Sequence, residues 1–363
     1  MRHARIIAAG AIAAAAGIAL ATTPSSAASQ PAPSGVINSP AVTSAQASAA
    51  LAYWTPARMR AAKPYPLPVL KSAARPTVAQ LAVPGPAGSV AGTTTSGASA
   101  PQAAKILDMG KPTEAPRPAA FNYPFPYVRF PVSPLSLETI YPGSVNGKLF
   151  FTQNGGGFVC SATSVVAPSR TRVWTAGHCV ADGASHWDAS AVFFPAYNNG
   201  VAPFGGFAAT NFTTTGSWFA SRDFSRDLGA FHTGLNSRGQ TLATAVGTAG
   251  FTWNQNRDQQ FRTDAYPAAA PFNGLIQWEN QAATAVAVSV GSGPAATGIG
   301  SDFTGGSSGG SWRIQSGGAY VGFIDGHVDY KYNSQPGAIY SPYFDTLANS
   351  VRCSGESTGN ACP

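Results

Sequence analysis

Arg172-Val173-Trp174-Thr175-Ala176-Gly177-His178-Cys179 reads as a short strand, Arg172–Thr175, closed by a glycine that delivers a histidine beside a cysteine. Val, Trp and Thr favour extended backbone, and glycine interrupts it. The same texture repeats on both sides. Apolar runs of four to eight residues, rich in Val, Phe, Thr and Tyr, are separated by Gly, Asn, Pro and Ser clusters. They include Lys148–Thr152, Gly157–Val166, Ala191–Pro195, Leu228–Thr233, Thr244–Trp253, Thr284–Val290, Ser311–Gln315 and Ala319–Asp325. Many short strands at regular spacing predict an all-β barrel or sandwich rather than βαβ units. A single helix is expected at about 341–352, where Tyr343, Phe344, Leu347 and Val351 share one apolar face. No internal repeat of fixed period is present.

Three side chains in this framework could share chemistry. His178 follows a strand and precedes a half-cystine, a setting that His186 and His232 lack. Thr304-Gly305-Gly306-Ser307-Ser308-Gly309-Gly310-Ser311 places Ser308 among glycines. Such flanks permit a tight turn that lifts one hydroxyl and lets backbone N–H groups face the same point. An ordinary Gly/Ser loop has the same composition, because a serine hydroxyl is a weak nucleophile until a base takes its proton. Arg226-Asp227-Leu228-Gly229-Ala230-Phe231 opens an apolar strand with an aspartate. A carboxylate there can fix one imidazole nitrogen as a donor and stabilise the imidazolium. Asp223 is the nearby competitor; Asp227 is preferred because a continuous strand follows it.

Taken together, Cys160-Ser161-Ala162-Thr163, Thr175-Ala176-Gly177-His178-Cys179, Asp227-Leu228-Gly229 and Gly305-Gly306-Ser307-Ser308-Gly309-Gly310 resemble the chymotrypsin-like serine peptidases. The closer likeness is to the bacterial secreted branch that includes the glutamyl endopeptidases, over about residues 149–325 and in the family order His, Asp, Ser. The resemblance implies two six-stranded antiparallel barrels with a cleft between them, at about 136–238 and 239–340. It implies a secreted serine endopeptidase that forms an acyl-enzyme on Ser308, with His178 as general base and acid and Asp227 orienting it. The N–H groups of Gly306 and Ser308 would make the oxyanion hole. No cofactor is implied.

Some positions depart from the family pattern. Ser307 stands where trypsin-type members carry the aspartate that pairs with a newly cut N-terminus, which argues against that form of activation. Ser311 stands where many members have proline. Tyr320 to His327 looks like the strand lining the S1 pocket, which makes Gly322, Ile324 and Gly326 pocket candidates. Ile324 occupies the place of the carboxylate-binding histidine of glutamyl endopeptidases, and His327 lies three residues further on, so a glutamate preference is not expected. Asp302, six residues before Ser308, matches the pocket-base aspartate of trypsin-type enzymes and suggests a weak preference for Arg or Lys at P1.

The rest of the chain addresses and packages this domain. The net charge of +7 comes from residues 1–140, with 11 Lys+Arg against 3 Asp+Glu; residues 141–363 hold 11 against 12. A nucleic-acid partner is therefore not expected of the C-terminal part. Arg2, His3 and Arg5, the apolar run Ile6–Ala21 and the small residues Ser25-Ser26-Ala27-Ala28 form a secretory signal peptide, residues 1–28. Residues 29–120 are dominated by Ala, Pro, Ser and Thr and read as a poorly ordered, removable pro-segment, with a permanent stalk as the alternative. A short apolar patch within it, Leu51 to Leu70, with Tyr53, Trp54, Met59 and Tyr65, could dock elsewhere on the molecule. The junction with the peptidase domain, 121–363, is expected between Lys111 and Tyr127, with Arg117 as one cut point.

Four cysteines allow three pairings. The preferred one joins Cys160 to Cys179, closing a loop around His178, and Cys353 to Cys362, tying down a polar tail. No metal-ligand spacing accompanies His178-Cys179, so no metal is expected. After signal removal no apolar run approaches a membrane span, and a monomer acting on polypeptides is expected. Two other readings remain: a catalytically silent homologue that binds with the same fold, and an α/β-hydrolase esterase. The esterase needs Asp and His after Ser and alternating helices, which the chain order does not supply.

Overall fold

The computed structural model describes residues 1, 35–95, 122–316, 319–356 and 362. Apart from Met1, the expected signal peptide lies outside these residues, as does Arg117 in the expected junction.

The two-barrel expectation is corrected. The described strands form one sheet of nine and one of eleven, and neither hydrogen-bonded path returns to its first strand. In the first sheet the central order is Thr213–Thr215, Leu228–His232, Arg172–Ala176, Gly156–Ser164, Asn146–Gln153, Ala189–Pro195. In the second, Gln335–Ser341, Ala296–Gly300, Trp278–Val288, Gln260–Ala265, Ser311–Ser316 and Ala319–His327 follow one another. The count exceeds six per sheet partly because the N-terminal segment adds strands to both. Val36–Asn38 and Lys63–Pro64 join the first sheet, and Val69–Leu70 and Gly88–Val90 join the second.

The expectation of a single helix is corrected too, since seven α-helices occur among the described residues. Two follow sequence signals inside the supposed poorly ordered region. Thr43 and Gln46 form a capping box at the start of Ser44–Tyr53, and Thr77 and Gln80 do so at Val78–Leu81. Residues 35–95 are thus folded onto the body, anchored by Trp54 packed with Phe150 and by Leu67 in the second core. The run Thr244–Trp253 divides into a helix, Leu242–Val246, and a strand, Gly250–Trp253, because Thr241 caps the helix through the Thr244 N–H. The C-terminal helix begins at Thr346, not Ser341. Ser341 ends a strand, and the Asp345 carboxylate caps the N–H groups of Leu347 and Ala348.

Each sheet carries an apolar cluster. Leu149, Phe151, Val173, Phe193 and Phe231 pack in the first, and Phe261, Trp312, Ile314 and Ile339 in the second. A third cluster draws Trp174 and Leu228 from the first sheet, Phe251 and Ile324 from the second, and Phe344 and Val351 from the C-terminal end. Burying these side chains together joins the sheets. Among the described residues no helix is long and apolar enough to cross a membrane.

Candidate active site

Strand pairing brings the first two candidates together. Leu228 stands opposite Ala176, so Asp227, just before one strand, faces the turn Gly177–Cys179 that follows the other. The Asp227 carboxylate accepts from the His178 backbone N–H at 2.8 Å through Oδ1 and contacts the ring Nδ1 at 2.7 Å through Oδ2. Both residues are buried. This grip requires a glycine before the histidine. A Cβ on Gly177 would lie 2.6 Å from Asp227 Oδ1 and 2.8 Å from Trp218 Cδ1.

Ser308 comes from the second sheet, in the turn between Ala296–Gly300 and Ser311–Ser316. Its carbonyl accepts from the Ser161 N–H at 2.8 Å. Ser161 is next to Cys160, and Cys160 is bonded to Cys179, the neighbour of His178. The loop's glycines allow this approach: Gly309 has φ +78°, and a Cβ there would lie 2.0 Å from Thr175 Oγ1. Ser308 Oγ and His178 Nε2 are both buried without a hydrogen-bond partner. The Gly306 N–H is directed to the Tyr65 carbonyl, at 3.0 Å.

A second carboxyl escaped the sequence reading. Asp329 Oδ1 lies 3.3 Å from His178 Nδ1, and Asp329 is fully buried. Burial and the neighbouring Asp227 charge push Asp329 well above the usual carboxylate range. For Asp227 burial acts upward, but the His178 charge and hydrogen bond and the Asp329 proton outweigh it and hold the carboxylate below its ordinary value. The two carboxyls are thus pushed in opposite directions, Asp329 up and Asp227 down. The only sequence hint was an acid two residues after His327.

The four pocket candidates do not gather at this point. Asp302 is held by Arg129, whose Nε donates to its two oxygens at 2.7 and 2.9 Å. Ile324 is buried in the cluster that joins the sheets. Gly322 lies against Tyr141, and Gly326 against Ser341 and Trp312. His327 is buried, accepts from the Trp174 indole N–H at 3.2 Å, and is driven down by burial to about 3, hence neutral. The cavity beside His178 is lined instead by Tyr65, Pro66, Gln153, Phe158, Trp218 and Arg222, among others.

Both expected disulfides are present, Cys160–Cys179 and Cys353–Cys362. Two groups of potential metal ligands occur among the described residues. In Cys160, His178 and Cys179 the thiols are spent in the disulfide; in His178, Asp227 and Asp329 the carboxyls serve the imidazole.

Solved structures similar to this chain include a thermostable serine protease, AL20, from an extremophilic microorganism. It is 33% identical over 60% of this chain and 98% of its own length, with a TM-score of 0.54. Protease Anisep from Arthrobacter nicotinovorans is also 33% identical, over 59% of this chain and 96% of its own, with a TM-score of 0.53. A Glu endopeptidase is matched at 17% identity and a TM-score of 0.48, over 61% of this chain and 94% of its own. No protein-family model and no curated protein matches the chain.

Proposed function

Because this chain belongs to the bacterial trypsin-like serine proteases and hydrolyses peptide bonds by their type of mechanism, we propose that Ser308 is its nucleophile, His178 its general base and acid, and Asp227 the group that orients the imidazole. The observation that carries this assignment is the double grip of Asp227 on His178, at Nδ1 and at the backbone N–H. With Nδ1 engaged, Nε2 is the nitrogen left to exchange a proton with the Ser308 hydroxyl. Both atoms are among the buried polar atoms of the site that have no partner.

In the first step Ser308 Oγ bonds to the substrate carbonyl carbon while its proton passes to His178 Nε2. Asp227 stabilises the imidazolium and remains ionised. The carbonyl oxygen, now negative, takes the N–H groups of Gly306 and Ser308, each such donor being worth about 3–4 kcal/mol. Collapse expels the amine, which receives the proton from His178 and leaves an acyl-Ser308. Water, deprotonated by His178, hydrolyses that ester and returns the serine. These roles and magnitudes are those established for the same triad in other serine proteases and are applied to this chain.

The two disulfides, together with the leader sequence, support an exported protein working outside the cell. The side-chain preference at P1 is read as neither acidic nor strongly basic, because His327 is buried and Asp302 is already paired. Labelling with a fluorophosphonate tests the assignment. The parent should be modified at Ser308 and cleave casein, and Ser308→Ala should lose labelling and about 10⁴–10⁶-fold of kcat. Retention of full activity by Ser308→Ala would end the assignment.

A further inference from the structure

Residues 63–70 cross from one sheet to the other directly over the catalytic groups. Lys63–Pro64 pairs in parallel with Phe158–Val159, and the Tyr65 N–H donates to the Val159 carbonyl at 3.0 Å. The Tyr65 carbonyl accepts from the Gly306 N–H at 3.0 Å. The Tyr65 ring stacks on the His178 imidazole, with centroids 5.3 Å apart and planes 22° from parallel. Its hydroxyl donates to Gln153 Oε1 at 3.0 Å. Beyond it, Leu67 is buried among Phe261, Phe303 and Ile339, and Val69–Leu70 pairs with Lys331–Tyr332. Under this cover His178 is 1% exposed and Ser308 0%.

We propose that residues 63–70 are a built-in inhibitor of this protease, a strap that takes the oxyanion-hole donor with the Tyr65 carbonyl and shields the imidazole with the Tyr65 ring. The proposal rests on the assignment of Gly306, His178 and Ser308 given above. A substrate needs the Gly306 N–H, and that N–H already has an acceptor. Attack by Ser308 needs a proton path to His178, and one face of that ring is covered.

The sequence suits the task. In Lys63-Pro64-Tyr65-Pro66-Leu67-Pro68 every second residue is proline, which fixes φ and holds the strand extended before it binds, so little conformational entropy is lost. The strap is also poorly suited as a substrate. Both flanks of the Tyr65–Pro66 bond are anchored, one to each sheet, so a cut there would leave amine and acyl group side by side, positioned to rejoin. The relatives fit this division. AL20 and Anisep match only about three fifths of this chain, although nearly all of their own length is covered.

The test uses the full chain and follows the rate of fluorophosphonate labelling at Ser308, which requires no knowledge of the substrate. Tyr65→Ala removes the ring, Leu67→Asp unseats the strap from its core anchor, and Tyr65→Phe keeps the stack. Tyr65→Ala and Leu67→Asp should label at least about tenfold faster than the parent, and Tyr65→Phe at nearly the parental rate. A synthetic peptide of residues 60–72 should slow Leu67→Asp again. Equal labelling rates for parent, Tyr65→Ala and Leu67→Asp would overturn the strap while leaving the nucleophile intact. Failure of every form to label, with both disulfides formed and cooperative unfolding preserved, would instead strike at Ser308 as the nucleophile.

Discussion

Asp329 Oδ1 lies 3.3 Å from the same His178 nitrogen that Asp227 holds at 2.7 Å, so two carboxyls share one side of one imidazole. Burial and the Asp227 charge push Asp329 up, toward the form that can donate to Asp227, whose own carboxylate is held down. Asp329→Asn preserves a neutral donor of the same shape and should hold kcat within about threefold. Asp329→Ala removes the donor and should lower kcat about tenfold with KM unchanged, the ordinary cost of one hydrogen bond to a charged partner. It should also change the pH–rate profile, since the two carboxyls beside the imidazole are pushed in opposite directions. An unchanged pH–rate profile in Asp329→Ala would show that Asp329 has no part in the charge balance.

Gly177→Ala tests the contact between the histidine turn and the acid. The added methyl would sit 2.6 Å from Asp227 Oδ1 and 3.0 Å from Thr214 Oγ1, and both neighbours are fully buried. Displacing Asp227 should lower kcat/KM by about 10² or more, and overpacking should cost about 1–3 kcal/mol of stability. Steady-state kinetics on a peptide substrate, paired with thermal unfolding, measure both. Parental activity in this variant would contradict the geometry of the turn.

Glu138 makes stability depend on pH. It is fully buried, accepting from Asn198 Nδ2 and from the Gln277 N–H, each at 3.0 Å. Burial raises it from 4.5 to about 7. The folded state therefore holds this proton between about pH 4.5 and 7, where the unfolded chain has lost it. The contribution is complete below about 4.5 and is lost as pH rises through 7, a difference on the order of 3 kcal/mol between the two limits. Glu138→Gln should flatten that part of the stability profile, as followed by urea unfolding at a series of pH values. A slope identical to the parent's would assign the effect elsewhere.

Arg129 governs what Asp302 can do. With its Nε donating to both carboxylate oxygens, Asp302 is not available to a basic substrate side chain. A panel of peptides varied at P1 should show no strong excess for Arg or Lys. Arg129→Ala frees the Asp302 carboxylate and should raise kcat/KM for those two residues by about tenfold relative to neutral ones. An identical profile in parent and variant would remove Asp302 from substrate selection.

The candidate site was legible where chemistry forces residue identity. Thr175-Ala176-Gly177-His178-Cys179 stands out because no side chain fits before His178, and Gly309 because Thr175 Oγ1 and the Ser161 carbonyl occupy its Cβ direction. Asp227 could be chosen over Asp223 because a strand follows it. Asp223 instead caps the turn Phe224–Arg226 through the Ser225 N–H. What stayed hidden depends on distant partners. The strands Lys63–Pro64 and Val69–Leu70 exist only by pairing with residues far along the chain, and two-residue strands have no period of their own. Leu242–Val246, Leu-Ala-Thr-Ala-Val, is too short to distinguish helix from strand, and only the Thr241 cap decides it. The docking of residues 35–95, foreseen only for the apolar patch Leu51 to Leu70, accounts for two strands in each sheet, and the remaining strands still exceed six per sheet.

Because Lys63–Pro64 and Val69–Leu70 belong to different sheets, a cut elsewhere in the chain does not by itself uncover Ser308. Cutting ends only the tether, and with it the high effective concentration at which the segment rebinds. Enzyme and severed peptide then part at a rate set by dissociation and made lasting by dilution. Such a molecule would keep time: quiet while crowded near its source, and switched on by spreading into a larger volume.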